Sequence, residues 1–152
     1  MASIRIKGKT SVSPEQFIAS LTDFGPNREK VWGNSQSRFM VVHDRGTTWT
    51  EVTEGSNFLG GMWERVHYNW SEPNTIVLRT ITSNVWNDKS GWQYQLNEAP
   101  DGSGTMIEYT ITRFAKNRKG RCILILMRII GKPLLTRNFR QTLRAIEKSV
   151  TY

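Results

Sequence analysis

The chain has 152 residues, a formal net charge of +8, six tryptophans and one cysteine, and a chain of this length buries about 68 to 70% of its unfolded surface, enough for one domain over residues 1–152. Cys122 has no partner for an intrachain disulfide, and the apolar run from Cys122 to Met127 with Ile129 and Ile130 falls well short of the roughly 20 residues that span a bilayer. The first residues, Met1 to Lys7, lack the apolar stretch and cleavage site of a signal peptide, so a soluble cytoplasmic protein is expected.

Ser3 to Val12 alternates Ile4 and Ile6 with Arg5, Lys7 and Lys9 and predicts a strand. Ser13-Pro14-Glu15-Gln16 then starts a helix: Ser13 caps free amides, Pro14 needs no donor in the first turn, and Gln16 completes a capping box. This helix carries Phe17, Ile18 and Leu21 until Gly25-Pro26 ends it, and Pro26 to Trp32 predicts a second short helix. Six strands follow: Arg38 to Asp44, Thr47 to Thr53, Gly61 to Trp70, Thr75 to Ser83, Gly91 to Asn97 and Thr105 to Phe114. The connections, among them Arg45-Gly46 and Glu54-Gly55-Ser56-Asn57, are mostly of hairpin length, which implies antiparallel pairing.

A basic loop over Lys116 to Arg121 leads into a helical region that Gly131-Lys132-Pro133 should break or kink. Beyond it Leu135, Phe139, Leu143, Ile146 and Val150 recur at helical spacing, with Arg137, Arg140, Arg144 and Lys148 on the other side. That stripe needs an apolar surface, and the sheet is the one of comparable length. Between Arg113 and Tyr152 eleven Lys or Arg face one acid, Glu147, while the rest of the chain is slightly acidic. Such polarity suits an anionic membrane, nucleic acid or an acidic ligand, or a solvated basic face. Nucleic acid is disfavoured because the aromatics lie on strands and the cations on the helix.

Strand parity proposes an interior. On Gly61 to Trp70 the face with Met62, Glu64, Val66, Tyr68 and Trp70 is the better inward one, since the other holds Arg65 and His67. Leu78 and Thr80, the row Trp92, Tyr94 and Leu96, and the row Ile107, Tyr109 and Ile111 point inward by the same reasoning. The expected lining is therefore Val66, Tyr68, Leu78, Trp92, Tyr94 and Tyr109, closed by Phe139 and Leu143, which suits a flat or elongated apolar ligand unless these side chains fill a solid core. Glu64 is the acid that parity turns inward. Unpaired, it is a candidate catalytic acid or base; Arg113, on the same parity as Tyr109, is its candidate partner, or else an exposed strand-end residue. His43 is placed near the rim, about 9.5 Å from Glu64 if strands pair in order. Two histidines and one cysteine make no metal pattern, and there is no phosphate-binding loop or nucleophile elbow, so no metal or cofactor is expected.

The order of elements, with Ser13-Pro14-Glu15-Gln16-Phe17 and Leu21-Thr22-Asp23, the stretch Trp63-Glu64-Arg65-Val66 to Trp70-Ser71-Glu72-Pro73, and the closing helix Phe139 to Glu147, resembles the START-like (SRPBCC) superfamily, in particular its small polyketide cyclase/dehydrase-like members. The resemblance covers the whole chain. It implies an α+β helix-grip fold: a curved antiparallel sheet of about seven strands around a long C-terminal helix, with two short helices after the first strand. It also implies that 1–152 form one START-like domain that binds or carries a lipid, isoprenoid or polyketide-like molecule, or a cyclase/dehydratase in which Glu64 or a tyrosine moves protons. In that frame the apolar stretch Cys122 to Ile130 would sit at the lip of the cavity, and the basic residues around it, from Lys116 to Lys132, suit transient contact with anionic membrane. Ligand identity and oligomeric state stay open.

Overall fold

A computed structural model describes residues 1–151. Seven antiparallel strands form one sheet in the order β1-β7-β6-β5-β4-β3-β2: β1 (Ala2–Thr10), β2 (Val41–Arg45), β3 (Trp49–Ser56), β4 (Met62–Asn69), β5 (Thr75–Ser83), β6 (Gly91–Glu98) and β7 (Thr105–Arg113). Hairpins link β2 through β7, and β1 joins the far edge by pairing with β7 from Ala2 opposite Arg113 to Thr10 opposite Thr105. Helices α1 (Pro14–Leu21) and α2 (Arg28–Val31) lie between β1 and β2. The capping box forms as expected, with Ser13 Oγ accepting from the Gln16 amide at 3.1 Å and Gln16 Oε1 from the Ser13 amide at 2.9 Å.

The C-terminal region is helical from Arg118 to Thr151. Helix α3 (Arg118–Leu126) starts at Asn117, whose side chain caps Gly120, and passes through a π turn (Met127–Gly131) into α4 (Lys132–Thr151). The expected interruption at Gly131-Lys132-Pro133 is thus an irregular turn within a continuous helix, which accommodates the amide that Pro133 lacks. Phe139, Leu143 and Ile146 of α4 are buried against the sheet, while Val150, expected on the same stripe, is 42% exposed. A glycine lets the helix come this close: a Cβ on Gly8 of β1 would lie 2.8 Å from Leu143 Cδ1 and 2.9 Å from Phe139 Cε2. At its other end α4 is tied to β1 by Thr10 Oγ1 donating to Glu147 Oε1 at 2.9 Å.

Two clusters make up the core. The larger runs between sheet, α1 and α4 and includes Phe17, Leu21, Val52, Val66, Tyr68, Leu78, Tyr94, Leu96, Ile107, Phe139 and Leu143; the smaller joins Ala2, Val85, Trp86, Ile123 and Leu124 beneath α3. Two boundaries differ from the sequence expectation in ways that matter. β3 continues through Glu54 and Gly55 to Ser56, pairing with β4 down to Met62. The run Glu54-Gly55-Ser56-Asn57 carries turn-forming residues, but Gly55 serves close approach: a Cβ there would lie 2.2 Å from the Met62 carbonyl oxygen. β2 begins only at Val41, after a 3-10 turn over Ser37–Phe39, and a register shift between Val42 and Asp44 falls at His43.

Candidate functional site

The parity argument describes the inner face well. Glu64, Val66 and Tyr68 of β4, Leu78 and Thr80 of β5, Tyr94 and Leu96 of β6, and Ile107, Ile111 and Arg113 of β7 are all buried. Trp92 and Tyr109 also pack against this core but keep partial exposure. Tyr94 and Tyr109 stack at 4.8 Å between centroids, and Phe139 of α4 lies 6.2 and 5.5 Å from them. Phe17 and Trp32 meet Tyr94 edge-on at 5.3 and 6.3 Å. The end of the grip under α1 is therefore filled by its own aromatics, as the solid-core alternative has it. His43 does not join the group: it is exposed, and its Nε2 lies 2.7 Å from Thr53 Oγ1 on the outer face, because β2 turns Val42 inward opposite buried Val52 and leaves Val41, 52% exposed, and His43 on the other side.

Glu64 is not the unpaired carboxylate the sequence allowed. Its Oε2 accepts from Arg113 Nη1 at 2.9 Å and from the Thr80 hydroxyl. Arg113, which a strand-end position would have left in water, turns inward instead, its guanidinium over the rings of Trp92 at 4.7 Å and Trp86 at 5.3 Å. A second acid also faces inward. Glu54 lies directly across the β3–β4 ladder from Glu64; sequence reasoning missed it because the strand was ended at Thr53. Two carboxylates side by side on one buried face are unfavourable unless each has its own cation, and Arg28 supplies the second.

Arg28 is held on every side. Nε donates to Ser35 Oγ at 2.9 Å, Nη1 to the Leu21 and Asp23 carbonyls at 2.7 and 3.0 Å, and Nη2 to Tyr68 Oη at 2.9 Å and Glu54 Oε2 at 3.4 Å. Tyr68 and Ser35 in turn donate to Glu54 at 2.6 and 3.0 Å. All five donors of this guanidinium are used. The aromatic spacing was the available signal: Phe24 and Trp32, four residues to either side, both lie against it at 4.7 and 5.7 Å.

The Arg113 end is different. Among the described residues every fully enclosed side-chain nitrogen and oxygen has a hydrogen-bond partner. Arg113 Nε and Nη2, Glu64 Oε1 and the Tyr109 hydroxyl have no protein partner among those residues, so each reaches solvent. Met62, two residues from Glu64 on β4, and Ile4, opposite Ile111 between Tyr109 and Arg113, are also only partly buried, as are Met127 and Leu135 of the C-terminal helical region. This is an accessible polar group set in an apolar and aromatic surround.

The tyrosines are weak acids here. Burial pushes Tyr109 up to about 12, with Arg113 opposing and Glu64 and Glu54 adding to the rise. Tyr94, through burial and the nearby Tyr109, and Tyr68, through burial and Glu54, stand well above the ordinary range. Burial works against the Arg28 charge, yet Tyr68 and Glu54 keep its pKa above the usual value. All three phenols are therefore hydrogen-bond donors at neutral pH. No group of three His, Cys, Asp or Glu among the described residues is arranged to hold a metal ion.

No protein-family model and no curated protein matches the chain. Solved structures do. A protein of Thermus thermophilus superposes with a TM-score of 0.72 at 16% identity, covering 99% of this chain and 97% of its own. The Zhui aromatase/cyclase of a Streptomyces species gives 0.68 at 8% identity over 97% and 92%, and a START superfamily protein of Mycobacterium smegmatis 0.61 at 9% over 97% and 93%. The chain has the START-like helix-grip fold. At these identities the likeness concerns the fold alone. Within the START-like frame the Glu64–Arg113 group lies on the concave face that α4 covers. Among the described residues no helix is long and apolar enough to cross a membrane.

Proposed function

We propose that this chain is a single START-like domain that binds a hydrophobic small molecule of the lipid, isoprenoid or polyketide kind between the sheet and the C-terminal helix, at the Glu64–Arg113 end. The observation that carries the reading is the set of uncommitted groups there: Arg113 Nε and Nη2, Glu64 Oε1 and the Tyr109 hydroxyl, next to Trp92. An apolar body would lie against Trp92, Tyr109, Met62 and Leu135, and a carbonyl, hydroxyl or carboxylate end would take the free donors. Sites for small molecules are built this way, with a few fixed polar groups in an apolar lining.

A second reading, a cyclase or dehydratase, is favoured by one observation. A phenol that stays protonated sits in the electrostatic field of a carboxylate, and such a phenol can donate to a carbonyl oxygen while chemistry proceeds beside it. The Zhui aromatase/cyclase has the same fold. Binding ranks first because Glu64 is engaged by Arg113 and Thr80, which holds it as an ion-pair partner rather than leaving it as a base beside Tyr109.

Native mass spectrometry of the protein as purified, followed by titration with an apolar fluorophore, tests the reading. Saturable one-to-one binding, weakened at least tenfold by Arg113→Gln, is expected. The absence of saturable binding across fatty acids, isoprenoids and aromatic polyketides overturns it. Multiple turnover of a polyketide substrate, lost in Glu64→Gln at unchanged affinity, replaces it with the second reading.

A further inference from the structure

The run Cys122 to Leu134 is apolar on both sides of its helix. Ile123 and Leu124 are buried with Ala2, Val85 and Trp86, and Met127 packs against the same cluster. Their neighbours on the opposite side face solvent: Ile125, Leu126, Ile129, Ile130 and Leu134 are between 44% and 71% exposed. A surface helix normally spends its apolar residues on one face, and a second apolar face implies a second apolar surround. Five large aliphatic side chains on one short stretch form a patch of the kind that marks an interaction site.

The charges around the patch select its occupant. Arg118, Arg121, Arg128 and Lys132 flank it, and Arg137, Arg140, Arg144 and Lys148 continue along the outer side of α4 for roughly 45 Å of helix in all. No acid occurs between Arg113 and Ile146, and the ion pairs among the described residues involve none of the four cations that flank the patch. A second copy of the chain is a poor occupant. A two-fold contact would set ridge against ridge and bring Arg121, Arg128 and Lys132 of both copies together without a counter-charge. Nucleic acid would satisfy the cations but leave the isoleucines against phosphates.

We propose that the outer face of α3, the π turn and the start of α4 form a docking surface for anionic lipid bilayer, with Ile125, Ile129, Ile130 and Leu134 entering the headgroup boundary and the flanking Arg and Lys contacting lipid phosphates. Aliphatic side chains rimmed by cations along a helix are the physical pattern of an interfacial helix. A second element adds to it. The tip between β3 and β4 exposes Phe58 and Leu59 by 49% and 52%, with Leu59 at φ 47, a left-handed conformation that leucine rarely adopts. Lys119 Nζ, donating to the Gly61 carbonyl at 2.8 Å, holds this tip beside the start of α3.

Co-sedimentation of the full chain with phosphatidylcholine vesicles and with phosphatidylcholine/phosphatidylglycerol vesicles, at low and high salt, tests this independently of the interior site. Binding to the anionic vesicles at low salt, weak binding to the neutral ones and a steep loss with salt are expected. Ile129→Ser with Leu134→Ser should lower the anionic-vesicle affinity about tenfold or more, and Arg121→Gln with Lys132→Gln about fivefold per cation removed. All four positions are exposed, so an unchanged thermal midpoint is expected for both variants. Equal partitioning to both vesicle types, no partitioning at all, or undiminished binding by the Ile129/Leu134 variant overturns the proposal. So does a dimer in solution that the same variant dissociates, which would assign the patch to a second copy.

Discussion

The two buried ion pairs on the concave face, Arg28–Glu54 and Arg113–Glu64, sit side by side and do different jobs. Their acids are direct cross-strand neighbours, so burial and strand geometry are nearly the same for both. What differs is completion. Arg28 spends all five donors inside the protein and fastens the segment from Leu21 to Ser35 onto the sheet. Arg113 makes one hydrogen bond, to Glu64, and is otherwise held by the faces of Trp86 and Trp92. A saturated buried network rigidifies, whereas one with spare donors in reach of solvent can exchange a partner for a ligand. The comparison therefore separates a structural clamp from a binding group without appeal to either residue's identity.

The strongest way to break that distinction is to remove each arginine's role in turn. Arg28→Met leaves Glu54 buried without a cation and should cost about 3 to 5 kcal/mol in urea unfolding, enough to threaten folding of the chain. If the loss is small, the clamp is not structural. Alkaline pH is the next largest perturbation. Tyr68, Tyr94 and Tyr109 are raised in the folded protein, so above pH ~10 the unfolded chain gives up protons that the folded one keeps. Stability should then fall with rising pH by about 1.4 kcal/mol per pH unit for each retained proton. The contribution of Tyr109 is complete below pH ~10 and is used up as pH passes about 12. Phenolate absorbance should show Tyr109 ionising near that value in folded protein and Tyr68 only on unfolding. Simultaneous ionisation near pH ~10 would contradict the burial that raises both.

Glu64→Gln sharpens the contrast from the other side. Arg113 keeps two ring faces and access to water, so the expected cost is about 1 to 2 kcal/mol, less than at Arg28, together with a clear loss of affinity for the apolar fluorophore. Equal destabilisation at both sites would merge the two pairs into one structural network. Tyr109→Phe should do least. Its hydroxyl has no protein partner among the described residues, so thermal unfolding should move by no more than about 0.5 kcal/mol, while affinity for a ligand bearing a carbonyl falls about fivefold, the equivalent of one hydrogen bond of about 1 kcal/mol. A large stability loss with unchanged affinity would show that the hydroxyl serves the core.

Local pattern settled much of this molecule in advance. Alternation and helical spacing depend only on neighbours a few residues apart, so the seven strands, the capped α1, the stripe Phe139, Leu143 and Ile146, and the inward faces of β4, β6 and β7 were all legible in the sequence. For Arg113, parity with Tyr109 offered the inward side that it takes, while its strand-end position pointed to solvent. Interruptions of the alternation were not legible. Pairing of Val42 with Val52 turns the face of Val41 and His43 to the surface, a register shift in the β4–β5 ladder, between Arg65 and Val66, brings Ser83 rather than Thr82 to the buried face, and Gly55 carries β3 past an apparent turn to place Glu54. Each is decided by how two strands meet, and neither strand encodes that alone. That Arg28 neutralises Glu54, 26 positions away, is likewise a tertiary outcome, whereas inward parity had already made Arg113 the candidate partner of Glu64, 49 positions away. So is the outer face of α3: its residues are apolar in any conformation, and only packing of Ile123 and Leu124 against Val85 and Trp86 leaves Ile125 and Ile129 facing out.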